Sequence, residues 1–148
     1  MVFAICENGR LITEGGPEPS FGTAGTWEKP TSVGIINLRT RQMRIAGQVP
    51  IWSGGRSNWH MAGSADGRWA ACDDFKYELW LFDRHNGEAI QLTGPQKVGA
   101  DHTHPTFNAE GTKIQSALIS KDNQSLNICV LPLPKSLLNR TYSARLPE

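Results

Sequence analysis

His102 and His104 stand one residue apart in Asp101-His102-Thr103-His104-Pro105. In an extended strand residues i and i+2 share a face, so this spacing lets two imidazoles grip one metal ion. Imidazole nitrogen suits borderline ions such as manganese, iron or zinc. Three protein ligands with open positions are the pattern of a catalytic rather than a structural site. A third imidazole is available in His60, and the fourth histidine, His85, lies in Arg84-His85-Asn86-Gly87, which reads as a solvated hairpin tip.

The elements that must position these rings are strands. Val2 to Cys6, a turn over Glu7 to Arg10 and the pair Leu11-Ile12 read as a hairpin arm. From Glu14 to Pro30 the chain turns to Gly, Pro, Ser and Thr without periodicity, a loop of the length that is functional or disordered. Val33 to Leu38, a Thr40-Arg41-Gln42 turn and Met43 to Ile45 follow. The same grammar returns 45 positions later as Glu78 to Asp83, the Arg84 to Glu88 turn and Ala89 to Leu92. A third, partial instance, Leu126 to Leu131, is cut short by Pro132 and Pro134. Helical spacing of apolar residues is not sustained anywhere, which makes the chain all-β.

A second repeat precedes those strands. His60-Met61-Ala62-Gly63-Ser64-Ala65-Asp66-Gly67-Arg68-Trp69 aligns with His104-Pro105-Thr106-Phe107-Asn108-Ala109-Glu110-Gly111-Thr112-Lys113 at an offset of 44. Each leads into a further strand, Trp69 to Cys72 and Ile114 to Ile119. Four short antiparallel strands per unit, with this period, predict β-propeller blades. Residues 1–58 give a partial blade and loop, 59–98 a complete blade and 102–145 most of a further one, within one partial propeller domain spanning 1–148. A ring takes about four to eight blades, so two and a half to three are expected to be the C-terminal part of a larger propeller or a truncated frame, its open blade edges inviting self-association. Leu137 to Glu148 carries too little pattern to assign.

If the first strand of each blade lines the channel, His60 and His104 occupy equivalent places in adjacent blades, and His102 joins them. The competing reading is structural: a histidine near a blade's first strand commonly makes hydrogen bonds within the blade. Nearby, Arg56 can bind a carboxylate in bidentate fashion and Trp59 can stack on a sugar, with Trp52 in the same loop. Trp59 and Trp69 can equally pack between blades.

Composition excludes several partners. Of 148 residues, 15 are Lys or Arg and 14 Asp or Glu, a near balance that argues against a nucleic-acid surface. No apolar run nears the roughly 20 residues needed to span a bilayer, and the first residues lack a signal-peptide pattern, so a cytoplasmic location and no membrane partner are expected. Cys6, Cys72 and Cys129 are far apart and read as small core residues rather than as disulfides or a zinc site.

The stretch from Trp59-His60 through Asp66-Gly67-Arg68-Trp69, Cys72-Asp73-Asp74 and Leu79 to Asp83, on to His102-Thr103-His104-Pro105-Thr106-Phe107, resembles the C-terminal blades of oligogalacturonate lyases. More widely, His104 to Lys113 is similar to the HPxFSPDGxK signature of TolB-like propellers. The similarity covers roughly residues 33–132. It implies a seven-bladed propeller that binds manganese in its central cleft and cleaves an acidic oligosaccharide, oligogalacturonate, by β-elimination in pectin breakdown. His60, His102 and His104 match the family's metal-binding histidines; the expected Gln falls on Gly99, with Gln96 off register. No residue matches the family's catalytic base, since no histidine precedes His60. The alternative is a non-catalytic TolB-like propeller that serves as a binding or interaction module.

Overall fold

The computed structural model describes residues 2–7, 10–11, 31–47, 58–74, 76–95, 103–119 and 125–142. They form three antiparallel sheets and one short helix. The first sheet joins β1 (Val2–Glu7), β2 (Arg10–Leu11), β3 (Thr31–Ile36) and β4 (Met43–Gly47) in the order β2-β1-β3-β4. The second is a simple up-and-down meander of β5 (Asn58–Gly63), β6 (Trp69–Asp74), β7 (Leu79–Asp83) and β8 (Ala89–Gln91). The third runs β9 (Thr106–Phe107), β10 (Lys113–Ile119) and β11 (Leu126–Pro132), and helix α1 (Lys135–Leu138) follows. These are all-β propeller blades in series, as the repeats lead one to expect.

The first sheet departs from the meander in one respect. Cys6 pairs with Leu11 and Glu7 with Arg10, so β2 folds back along the free edge of β1, where the middle sheet has its first strand. The expected hairpin arm therefore belongs inside a blade, with β1, β3 and β4 in the places of β6, β7 and β8.

The 44-residue repeat is visible in hydrogen bonds. The Ser64 N–H donates to the Trp69 carbonyl and the Gly67 N–H to that of Ser64; 44 positions on, Asn108 donates to Lys113 and Gly111 to Asn108. Gly67 and Gly111 both take positive φ, 70° and 66°, where a side chain would be strained. Asp66 and Asn108 brace these turns by accepting the backbone N–H groups of Arg68 and of Thr112 and Lys113 respectively.

Alternation divides the middle sheet's side chains between two cores. Ala70, Cys72, Trp80 and Phe82 pack with Val33 and Ile35 of the first sheet. The intervening Trp69, Ala71, Leu79 and Leu81 pack with Ile114, Leu133 and Leu137 on the other side. Every residue of β6 and β7 is buried, which explains why Leu79 to Phe82 is an unbroken apolar run: both of its faces are covered. Trp69 thus packs between sheets, while the side chain of Trp59 lies outside the described residues. Cys72 is buried and Cys129 half-buried, and neither forms a disulfide among the described residues.

The tail has structure that its sequence does not advertise. Leu133 and Leu137 enter the second core, and Arg68 donates to the Leu137 and Leu138 carbonyls at the end of α1. The Tyr142 hydroxyl donates to Asp83, and the Tyr142 ring stacks on His85 at 3.8 Å. His85 is therefore half-buried under the tail rather than a solvated tip, because residues 57 positions downstream return to cover it.

Gly47 lies flat against the Phe82 ring, and a Cβ there would run into that ring. Gly47→Ala is expected to destabilise the chain by about 1–3 kcal/mol through overpacking. Thermal unfolding should show the loss, and Phe82→Leu in the same chain should relieve part of it.

Candidate functional site

His60 and His104 meet at the seam between the second and third sheets. Asp73, near the end of β6, is fully buried on the face turned toward the third sheet. Its Oδ1 accepts the His60 backbone N–H at 2.7 Å. Its Oδ2 accepts the Thr103 N–H at 3.0 Å and stands 3.3 Å from both the Thr103 hydroxyl and His60 Nδ1. The Thr103 carbonyl in turn accepts the Ala117 N–H and the Ser116 hydroxyl, each at 2.8 Å. One carboxyl group therefore ties β5 and β6 to the segment entering β9, and through it to β10.

His104 brings its ring to 3.9 Å from that of His60, centroid to centroid, with the planes tilted by 38°. Two of the three expected rings do come together across the seam. Their arrangement differs from the strand-face expectation, because β9 begins only at Thr106 and His104 lies before it with φ at 41°. A positive φ in a residue that also precedes proline is a strained conformation, held by its surroundings. Strand alternation therefore does not set the direction of the His104 ring. His102, Arg56, Gln96, Gly99 and Trp52 lie outside the described residues, as does the side chain of Trp59.

The donor set can be tested against a shared ion. With a metal–nitrogen bond of about 2.1 Å and a ligand angle of about 90 to 110°, two imidazoles on one ion hold their ring centroids roughly 4.5 to 5.2 Å apart. The 3.9 Å separation is shorter than that, so the pair as placed does not fit a common ion. No cluster of three or more His, Cys, Asp or Glu suited to a metal occurs among the described residues. Asp73 on Nδ1 resembles the carboxylate that orients a metal-bound histidine, but its bonds to the two backbone N–H groups fasten the blades regardless.

A second acidic pair lies at the β6–β7 turn. Asp74 Oδ1 accepts the N–H groups of Lys76 and Glu78, and its Oδ2 accepts the Trp80 indole N–H at 3.0 Å. Glu78 is buried beside it. Burial first, then the hydrogen bond to Asp74 and the negative charge there, push the Glu78 carboxyl up to about 7, against the opposing charge of Lys76. Sequence reasoning passed over Asp73, Thr103 and this pair. The one available signal was two consecutive acids, Asp73-Asp74, closing an apolar strand.

No family model and no curated protein matches the chain. Among solved structures it is similar to the Myceliophteria thermophila Cps50 (Swd1) β-propeller domain, at 16% identity and a TM-score of 0.49. The match covers 70% of this chain and 34% of that one, so the chain spans about a third of that domain's length.

Glu78 gives the site a pH signature. Its folded value near 7 lies above the ordinary 4.5, so the folded state holds this proton more tightly than the unfolded chain does. Its stabilising effect is complete below about 4.5 and is lost as pH rises to about 7. Glu78→Gln should remove that loss. The melting temperature of the variant relative to the parent should therefore climb between these two pH values and level off above them; a difference that does not change with pH would contradict the assignment.

Proposed function

We propose that the chain supplies β-propeller blades that act as a ligand-binding or interaction module, with no chemistry at the histidine seam. The observation that carries this reading is the engagement of His60. Its backbone N–H and Nδ1 both face Asp73, which also holds Thr103 of the neighbouring blade. A residue fixed in this way positions two sheets relative to each other. A carboxylate on Nδ1 is also how a metal-bound histidine is oriented, so the case against a shared ion lies in the 3.9 Å approach of the His104 ring.

The meeting of His60 and His104 across the seam favours a second reading. Here the blades belong to a propeller related to oligogalacturonate lyases, with manganese held by His60, His102 and His104 and with Arg56 and Trp59 beside an acidic oligosaccharide. This reading requires the His60 and His104 rings to move apart from their 3.9 Å approach, and it requires a catalytic base from outside this chain.

Thermal unfolding separates the two. In the module reading a chelator leaves the melting temperature unchanged, added manganese does not raise it, and His60→Ala lowers it by several degrees through loss of the ring's contacts with Asp73 and His104. A fall on chelation that manganese reverses, and that His104→Ala abolishes, would establish the metal site instead. Ultraviolet absorbance of an unsaturated product from digalacturonate would then mark the catalyst.

A further inference from the structure

The turn between β6 and β7 closes on two carboxyl groups that the histidine seam does not use. Asp74 and Glu78 are 1% and 5% exposed. Asp74 Oδ1 accepts the backbone N–H groups of Lys76 and Glu78 at 2.8 and 3.0 Å, and its Oδ2 accepts the Trp80 indole N–H at 3.0 Å. Three converging donors suit a carboxylate, which only accepts. Glu78 is placed the opposite way: its Oε2 is buried, and no N–H or O–H group of the described residues reaches it. A buried charge without donors is costly, and one beside a second carboxylate is more so. The hydrogen bond between the two side chains therefore carries a proton that sits on Glu78 and is donated to Asp74.

That proton lies in a strained turn. Tyr77 takes φ 61°, a left-handed conformation that residues other than glycine adopt at a cost. The Tyr77 N–H donates to the Asp74 carbonyl at 2.9 Å, and the Asp74 N–H donates to the Glu78 carbonyl at 3.1 Å. The next rung of the ladder pairs Asp73 with Leu79, so this turn secures the end of β6 from which Asp73 reaches His60 and Thr103. Among the described residues the charged groups bearing on Glu78 are Asp74 on β6, which holds the proton in place, and Lys76 in the turn, which opposes it. The first sheet brings apolar Val33 and Ile35 to the face that carries Trp80, and Thr93, after β8, meets the Leu79 N–H with an uncharged hydroxyl.

We propose that Asp74 and Glu78 form a proton-operated catch on the β6–β7 hairpin, which closes the strained turn while the pair shares a proton and lets it open when that proton is lost. Without the proton two carboxylates face each other inside the turn, and their repulsion adds to the strain at Tyr77. The Glu78 proton leaves at about pH 7, so the catch is closed in mildly acid solution and open in mildly alkaline solution. The change is local, because the apolar cores on either side of β6 and β7 contain neither carboxyl group. It is independent of what the histidines bind.

Nuclear magnetic resonance of the full chain tests the catch through the Trp80 indole N–H, assigned by its loss in Trp80→Phe, and through the backbone N–H groups of Lys76 and Glu78. In the parent the indole signal should move in one step with its midpoint at about pH 7. In Glu78→Gln, whose side chain still donates to Asp74 but cannot ionise, the signal should stay in place. Exchange of the Lys76 and Glu78 N–H groups with solvent should be at least roughly tenfold faster in the parent than in Glu78→Gln at about pH 8.5, and equal in the two at about pH 5.5. Comparing the two chains at one pH cancels the intrinsic pH dependence of exchange. An indole signal that does not move, or that moves near the ordinary 4.5, would overturn the shared proton on the parent alone, with no variant needed. A step at about pH 7 with equal exchange in both chains at both pH values would overturn the opening of the turn.

Discussion

The carboxyl group of Asp73 is the contact on which the join between the second and third sheets depends. It is fully buried, and a buried carboxyl is costly unless hydrogen bonds replace its water. The replacements come from two blades: the His60 backbone and ring on one side, the Thr103 backbone and hydroxyl on the other. Apolar burial alone would hold two sheets together without fixing their register. Directional bonds to Asp73 set where the segment before β9 lies along β5 and β6, and the Thr103 carbonyl passes that placement on to β10. The approach of His60 and His104 follows from the same join.

The first and second sheets meet differently. Their seam is built from Val33, Ile35, Trp80 and Phe82, with Gly47 making room for the Phe82 ring. The tail adds a third means of attachment. It places Leu133 and Leu137 into the core between the second and third sheets, then lays Tyr142 between Asp83, His85 and Arg68. The middle sheet is consequently enclosed on both faces, as the complete burial of β6 and β7 shows. Among the described residues, the outer sheets keep exposed apolar side chains, Ile45 in the first and Leu126, Ile128 and Val130 in the third.

Much of the fold was legible because backbone geometry constrains residue type. The acid-Gly turns at Gly67 and Gly111 require positive φ, so their 44-residue offset survives in the sequence as a visible motif and returns as matching hydrogen bonds. Strands β6, β7, β10 and β11 fall where β-branched and aromatic runs stand, since a strand within a sheet must bury one face or both. The placement of β2 was not legible, because two residues carry no periodicity and their partner is chosen by the edge that β1 leaves open. The tail escaped for a related reason: its hydrogen bonds to the middle sheet span 52 to 74 positions, a distance over which local pattern says nothing. At the site, the repeat pointed to His60 and His104, whose rings lie close together, while the strand-face argument took His104 to stand on a strand, where the chain instead turns to φ 41° before Pro105; His102 lies outside the described residues. Asp73 stayed hidden because an acid at the end of an apolar run looks like a solvated strand end, and only the third sheet shows what it binds.

The central claim is that Asp73 and Thr103 act as one unit across two blades. A double-mutant cycle on unfolding free energy, with Asp73→Asn, Thr103→Val and the pair together, measures this most directly. Residues in such a contact should couple by about 0.5–3 kcal/mol, the double variant losing less than the sum of the single losses. Losses that add to within about 0.3 kcal/mol would contradict it.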